Sequence, residues 1–138
     1  MGRVFFDTRK NIVDVSAAKT LLPSDSGSVF MINQASAYAI TLPNASDAQR
    51  GWNAEFIIGT ANTNAVTIEA TDSDGNNIHG HSIDGEDGAA QTVTEGTGVD
   101  VITFISGATK GDRVSLMCDG VSYYVFGLAA DKAHITLT

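Results

Sequence analysis

The sequence predicts an all-β chain, a single-domain antiparallel β-sandwich or jelly-roll-like fold of about 8–10 short strands, and three observations carry that reading. Short runs rich in Val, Ile, Phe, Tyr and Thr recur along nearly the whole chain. Between them stand Gly, Asn, Asp and Ser, and the fourteen glycines supply the positive φ angles that tight connections demand. No segment shows the sustained 3.6-residue apolar period of a long amphipathic helix.

Taken in order, strands are expected at residues 29–32, 39–42, 54–58, 66–69, 91–94, 99–105, 113–118, 121–126 and 134–137. The helical candidates are about one turn each, near Ala17-Ala18-Lys19 and over residues 46–50. The best-defined element is the run Arg113-Val114-Ser115-Leu116-Met117-Cys118-Asp119-Gly120-Val121-Ser122-Tyr123-Tyr124-Val125-Phe126. Asp-Gly between two β-rich runs favours a two-residue type I′ turn, in which both central residues take φ > 0. That register pairs Cys118 with Val121, Leu116 with Tyr123 and Val114 with Val125, all on one apolar face. Met117, Ser122, Ser115, Tyr124, Arg113 and Phe126 then share a mixed face suited to solvent or to an interface. Cys118 is expected in the core. Residues 71–98 are poor in large apolar side chains and read as long surface loops carrying one or two short strands. No internal repeat stands out, and no linker divides the chain beyond an N-terminal arm over residues 1–20 and a body over residues 21–138.

With 43% hydrophobic and 17% charged residues, the composition is that of a folded protein. The longest apolar runs, such as Phe56-Ile57-Ile58, fall far short of the roughly 20 residues of a membrane span, so no membrane partner is expected. The N-terminus lacks the apolar stretch and cleavage site of a secretory signal, and a lone cysteine fits synthesis in a cytoplasm. A net charge of −8 argues against nucleic acid as a partner. The charge is also unevenly placed. No Lys or Arg lies between Arg50 and Lys110, whereas Arg3, Arg9, Lys10 and Lys19 gather near the start. This pattern reads either as a solvated acidic surface that keeps the protein soluble or as a basic arm that seeks an acidic partner, and on the second reading Arg3, Val4, Phe5, Phe6, Arg9 and Lys10 are the expected contact residues.

Candidate chemistry is sparse. Asp72-Ser73-Asp74-Gly75-Asn76-Asn77 has the oxygen spacing of a calcium loop at first sight. It then puts Asn77 where such loops need glycine and Ile83 where they need a bidentate glutamate, so it reads as a turn. His79-Gly80-His81 places two imidazoles on one side of an extended segment, with Asp84, Glu86 or His134 as possible third ligands, none fixed by the sequence. Glu86 and Asp87 are adjacent in a Gly-flanked turn and point apart, unlike a glycosidase pair. Residues 106–111 lack the order of a phosphate loop and read as a hairpin connection. Asn44-Ala45-Ser46 matches a glycosylation acceptor without a secretory context. The expectation is a chain that is not an enzyme, with no catalytic residue, cofactor or metal.

Several stretches carry a likeness: Asp25-Ser26-Gly27-Ser28-Val29-Phe30, Ile40-Thr41-Leu42-Pro43, Gly51-Trp52-Asn53-Ala54-Glu55-Phe56-Ile57-Ile58-Gly59-Thr60, Val66-Thr67-Ile68, Asn77-Ile78-His79-Gly80 and Gly111-Asp112-Arg113-Val114-Ser115-Leu116-Met117-Cys118-Asp119-Gly120. Over residues 21–127 the chain resembles the small all-β virion proteins of tailed bacteriophages that act as capsid decoration or cement proteins. The resemblance is one of strand and turn pattern. It implies a β-sandwich or jelly-roll body on the outer capsid surface, bound to the major capsid protein, as a homo-oligomer with a trimer favoured. Similar domains occur on tail fibres and spikes as receptor-binding heads, and a carbohydrate-binding β-module is a further alternative. Trp52 opens an apolar strand and Tyr123 faces the expected core, which leaves Tyr38 and Tyr124 as the open aromatic platforms.

Overall fold

Strand-forming residues alternate through the chain with a period of two, and in the computed structural model that alternation is resolved into two packed sheets. The structure describes residues 9–33, 36–70, 77–85 and 93–138. Among them the strands are β1 (Ile12–Val15), β2 (Lys19–Thr20), β3 (Ser28–Ile32), β4 (Tyr38–Thr41), β5 (Asn53–Ile58), β6 (Val66–Glu69), β7 (Ile78–Asp84), β8 (Val93–Val99), β9 (Val101–Phe104), β10 (Arg113–Cys118), β11 (Tyr123–Ala129) and β12 (Ile135–Leu137). One sheet runs β1-β3-β5-β10-β11-β7-β8 and the other β12-β9-β6-β4-β2. The chain is an all-β sandwich.

The sheets are mixed where an antiparallel pattern was expected. From β1 to β6 the chain visits the two sheets alternately, so β1, β3 and β5 pair in parallel in one, and β2, β4 and β6 pair in parallel in the other. Parallel neighbours need a crossover, and here each crossover is a pass through the opposite sheet. The second half closes the sandwich: β9 and β10 pair antiparallel to β6 and β5, and β7 joins β11 in parallel. Residues 106–111 therefore link two different sheets and do not form a hairpin. Part of the 1–20 segment also belongs to the body, because β1 and β2 supply strands to both sheets. No helix forms at Ala17-Ala18-Lys19, where Lys19 enters β2, whereas a single helical turn does form at Ala45–Ala48.

The inner faces hold the core. Phe30 and Phe56 stack with ring centroids 5.2 Å apart, and Ile40, Ile68, Ile102 and Phe104 face them from the smaller sheet. Trp52 meets the Tyr123 ring edge-on, and the Tyr123 hydroxyl donates to the Pro43 carbonyl. Both rings are buried, which removes them as sugar platforms. Tyr38 is withdrawn as well: its hydroxyl donates to the Val15 carbonyl, and burial pushes its pKa up to about 12.

The β10–β11 connection differs from the expected turn in an instructive way. Cys118 pairs with Tyr123, Leu116 with Val125 and Val114 with Gly127, so the loop spans four residues where a type I′ turn has two. The Asp119 carboxylate accepts hydrogen bonds from the Val121 and Ser122 amides, and Asp119 keeps a negative φ, so the I′ geometry is not adopted. These two amides, with the Tyr124 hydroxyl, hold the Asp119 carboxyl below its ordinary range. A shift of two residues leaves every side chain of the two strands on its expected face. Val121 alone is misplaced, being 73% exposed in the loop. Cys118, 1% exposed, sits in the core as expected, and a thiol reagent should label it at least about a hundredfold more slowly in the native than in the denatured protein. Equal rates would contradict that placement.

Candidate functional site

The outer face of the seven-stranded sheet is built by the residues that alternate with the core. On β10 and β11 these are Arg113, Ser115 and Met117, and Tyr124, Phe126 and Leu128. Their register aligns them in cross-strand rows: Met117 beside Tyr124, Ser115 beside Phe126, and Arg113 beside Leu128. Met117 is 59% exposed, Tyr124 49%, Phe126 56% and Leu128 43%. Four large apolar side chains half open to solvent on adjacent strands form a ridge, whereas scattered single ones would need no account.

Beside this ridge runs a trough of about 530 Å³. Gly27 and the buried residues Ser28, Val29 and Ala54 border it, and the ridge residues Met117, Tyr124 and Phe126 make one wall. Gly27 has φ +82° and no atom lies where a Cβ would stand, so the trough is open above it. Lys10 stands on the other side, paired with the Glu55 carboxylate. Of the expected contact residues, Lys10 thus borders the trough and Arg9 is exposed just before it, whereas Arg3, Val4, Phe5 and Phe6 lie outside the described residues.

His79 and His81 fall on this same outer face, on β7 beside the ridge, because Tyr124 pairs with His79 and Phe126 with His81. The His79 ring lies 6.1 Å from that of Tyr124, and its Nδ1 accepts from the Gly98 amide where β7 and β8 slip register. That bond uses one ring nitrogen to hold the bulge. Asp84 projects to the opposite side of β7, and His134 Nδ1 donates to the Asp112 carboxylate at 2.7 Å. The structure brings neither residue to the His79-His81 pair. No group of three His, Cys, Asp or Glu side chains is gathered for a metal among the described residues. The Asp72 loop and the Glu86-Asp87 pair lie outside them.

Sequence alternation located Met117, Tyr124 and Phe126. It missed Leu128, because the expected strand stopped at Phe126, and it missed the trough, because parallel neighbours such as β3 and β5 carry no local pairing signal. No family model, curated protein or solved structure matches this chain.

Proposed function

We propose that the chain is a virion structural protein that decorates and stabilises the outer surface of a phage capsid, with the major capsid protein as its partner. The observation that carries this reading is the exposed ridge and trough on one sheet of an otherwise acidic sandwich: a broad, shallow, part-apolar face of this kind suits protein docking. The resemblance over residues 21–127 supplies the setting. Tyr124 is tethered through its hydroxyl to Asp119, and Trp52 is buried, which weighs against a sugar-stacking platform.

The physics of such a role is linkage. A protein that binds the assembled shell and not its open form stabilises the former by about 2.7 kcal/mol per site when its free concentration is a hundred times Kd. Many copies, each bridging subunits, multiply that effect. The basic arm would steer the encounter toward acidic capsid surface, so association should slow with added salt.

Deleting residues 2–10 tests the assignment of the arm. The deletion removes the exposed Lys10–Glu55 pair, worth under about 1 kcal/mol, and none of the described strands, so the fold should survive. The truncated protein is expected to stay folded and to lose binding to undecorated heads. Decoration with unchanged affinity would move the anchor elsewhere.

A further inference from the structure

We infer that Met117 is an oxidation site on the docking face: a peroxide converts its thioether to the sulfoxide, and the sulfoxide disables docking while the fold is kept. The site stands on the structure alone, and its consequence for docking rests on the capsid reading.

Exposure singles out the residue. Met117 is 59% exposed on the outer face of β10. Met31 on β3 is partly buried, and its sulfur packs over Gly59, 2.9 Å from where a Cβ of that glycine would stand. Cys118 is 1% exposed, and its sulfur accepts from the Gly120 amide at 3.3 Å. Met1 lies outside the described residues. Met117 is therefore the most open sulfur-bearing residue among the described ones, and susceptibility to oxidation follows exposure.

The chemistry needs no helper group from the protein. A sulfur lone pair attacks one oxygen of the peroxide, and the O–O bond breaks as the S–O bond forms. Proton transfer through solvent lets the other oxygen leave as water or, from an organic peroxide, as an alcohol. The thioether is oxidised by two electrons and the peroxide is reduced by two.

Position supplies the consequence. Met117 pairs with Tyr124 on β11 and with Asn53 on β5, so it stands at one end of the ridge and in the wall of the trough. A partner covering the ridge takes the thioether out of water at no cost in hydrogen bonds. The sulfoxide oxygen, by contrast, is a strong acceptor that must find a donor or go without. Its neighbours have theirs committed: the Tyr124 hydroxyl donates to Asp119 at 3.0 Å, and the Asn53 amide donates to the Gly51 carbonyl at 3.1 Å. A covered polar group left unpaired weakens a contact by about ten- to a hundredfold. The fold is spared, because the side chain points away from the core and the strand pairing of β10 uses backbone alone.

The test treats the isolated full chain with hydrogen peroxide, removes the peroxide, and then adds undecorated heads. Peptide mapping should find the added oxygen on Met117 at least about fivefold faster than on Met31 in the native protein, with the difference gone in denaturant. The oxidised chain should keep its melting temperature within about 2 °C and bind heads about ten- to a hundredfold more weakly. Met117→Leu should bind as the parent does and be indifferent to peroxide, and Met117→Gln should bind weakly without any treatment. Oxidation of Met31 as fast as of Met117 in the native protein overturns the site. Unchanged head binding by the oxidised parent overturns the consequence, as does full binding by Met117→Gln or an equal loss in peroxide-treated Met117→Leu. A parent that binds no heads before treatment sinks the capsid reading and the consequence drawn from it, while the peptide map still decides the site.

Discussion

Gly80→Ala is expected to destabilise the protein by roughly 3–5 kcal/mol, enough to consume much of the stability of an ordinary domain. Gly80 pairs with Val125 across the parallel β7–β11 junction, at φ +144°. A Cβ built there falls 1.9 Å from the Val125 carbonyl oxygen and 2.9 Å from its carbon. Both are backbone atoms of a central strand, so no side chain can rotate away. Relief requires β7 to part from β11, and β8, which is joined to the sheet through β7, must follow. Hydrogen exchange should show the loss first at Ile78–Asp84 and Val93–Val99. The matched control is Gly107→Ala, at φ +104° with open space around the built Cβ, where backbone strain alone should cost about 1 kcal/mol. Equal effects of the two substitutions would mean that the close approach at Gly80 is not what holds it as glycine.

The same junction shows why part of the fold was legible in the sequence and part was not. The β10–β11 hairpin could be read because its partners are neighbours in the chain and its apolar residues alternate without interruption. Even the turn error was harmless, since a displacement by two residues keeps both faces. Strand β7 was passed over because Ile78-His79-Gly80-His81-Ser82-Ile83-Asp84 places Gly80, Ser82 and Asp84 on the inward side, and a polar inward face carries no hydrophobic period. The parallel coil of β1 to β6 left no repeat to detect: its turns are joined by connections of unequal length, so register partners such as Ile12, Val29 and Glu55 recur at no fixed interval. The candidate site followed the same division. Its ridge was visible as alternation on one hairpin, and its trough arose from residues brought together only by the crossovers.

Asp112→Ala should be the most damaging polar substitution among the described residues, costing about 3–5 kcal/mol. The carboxylate is 3% exposed and joins two pieces of chain. Its Oδ2 accepts from the Thr109 amide at 2.7 Å and meets His134 Nδ1 at 2.7 Å, while Oδ1 accepts from the Ala130 amide at 2.8 Å. The backbone of the same residue accepts from the Ile58 amide at the end of β5. Asp112 therefore fastens the crossover from β9 to β10 against the connection from β11 to β12, closing one end of the sandwich. Removing the carboxylate leaves two amides without their acceptor, at about 1–3 kcal/mol each where they stay dry. Asp112→Asn is not a rescue, since its single oxygen cannot serve both amides and its NH₂ must face a donor. His134→Ala removes one bond from a mostly buried ring and should cost about 1–2 kcal/mol. Denaturant unfolding of the three variants is the measurement: the expected order of loss is Asp112→Ala, then Asp112→Asn, then His134→Ala, with unchanged m-values. An Asp112→Ala variant within 1 kcal/mol of the parent would show that the end of the sandwich is closed by apolar packing around Ala108 and Ile135, and that the carboxylate only decorates it.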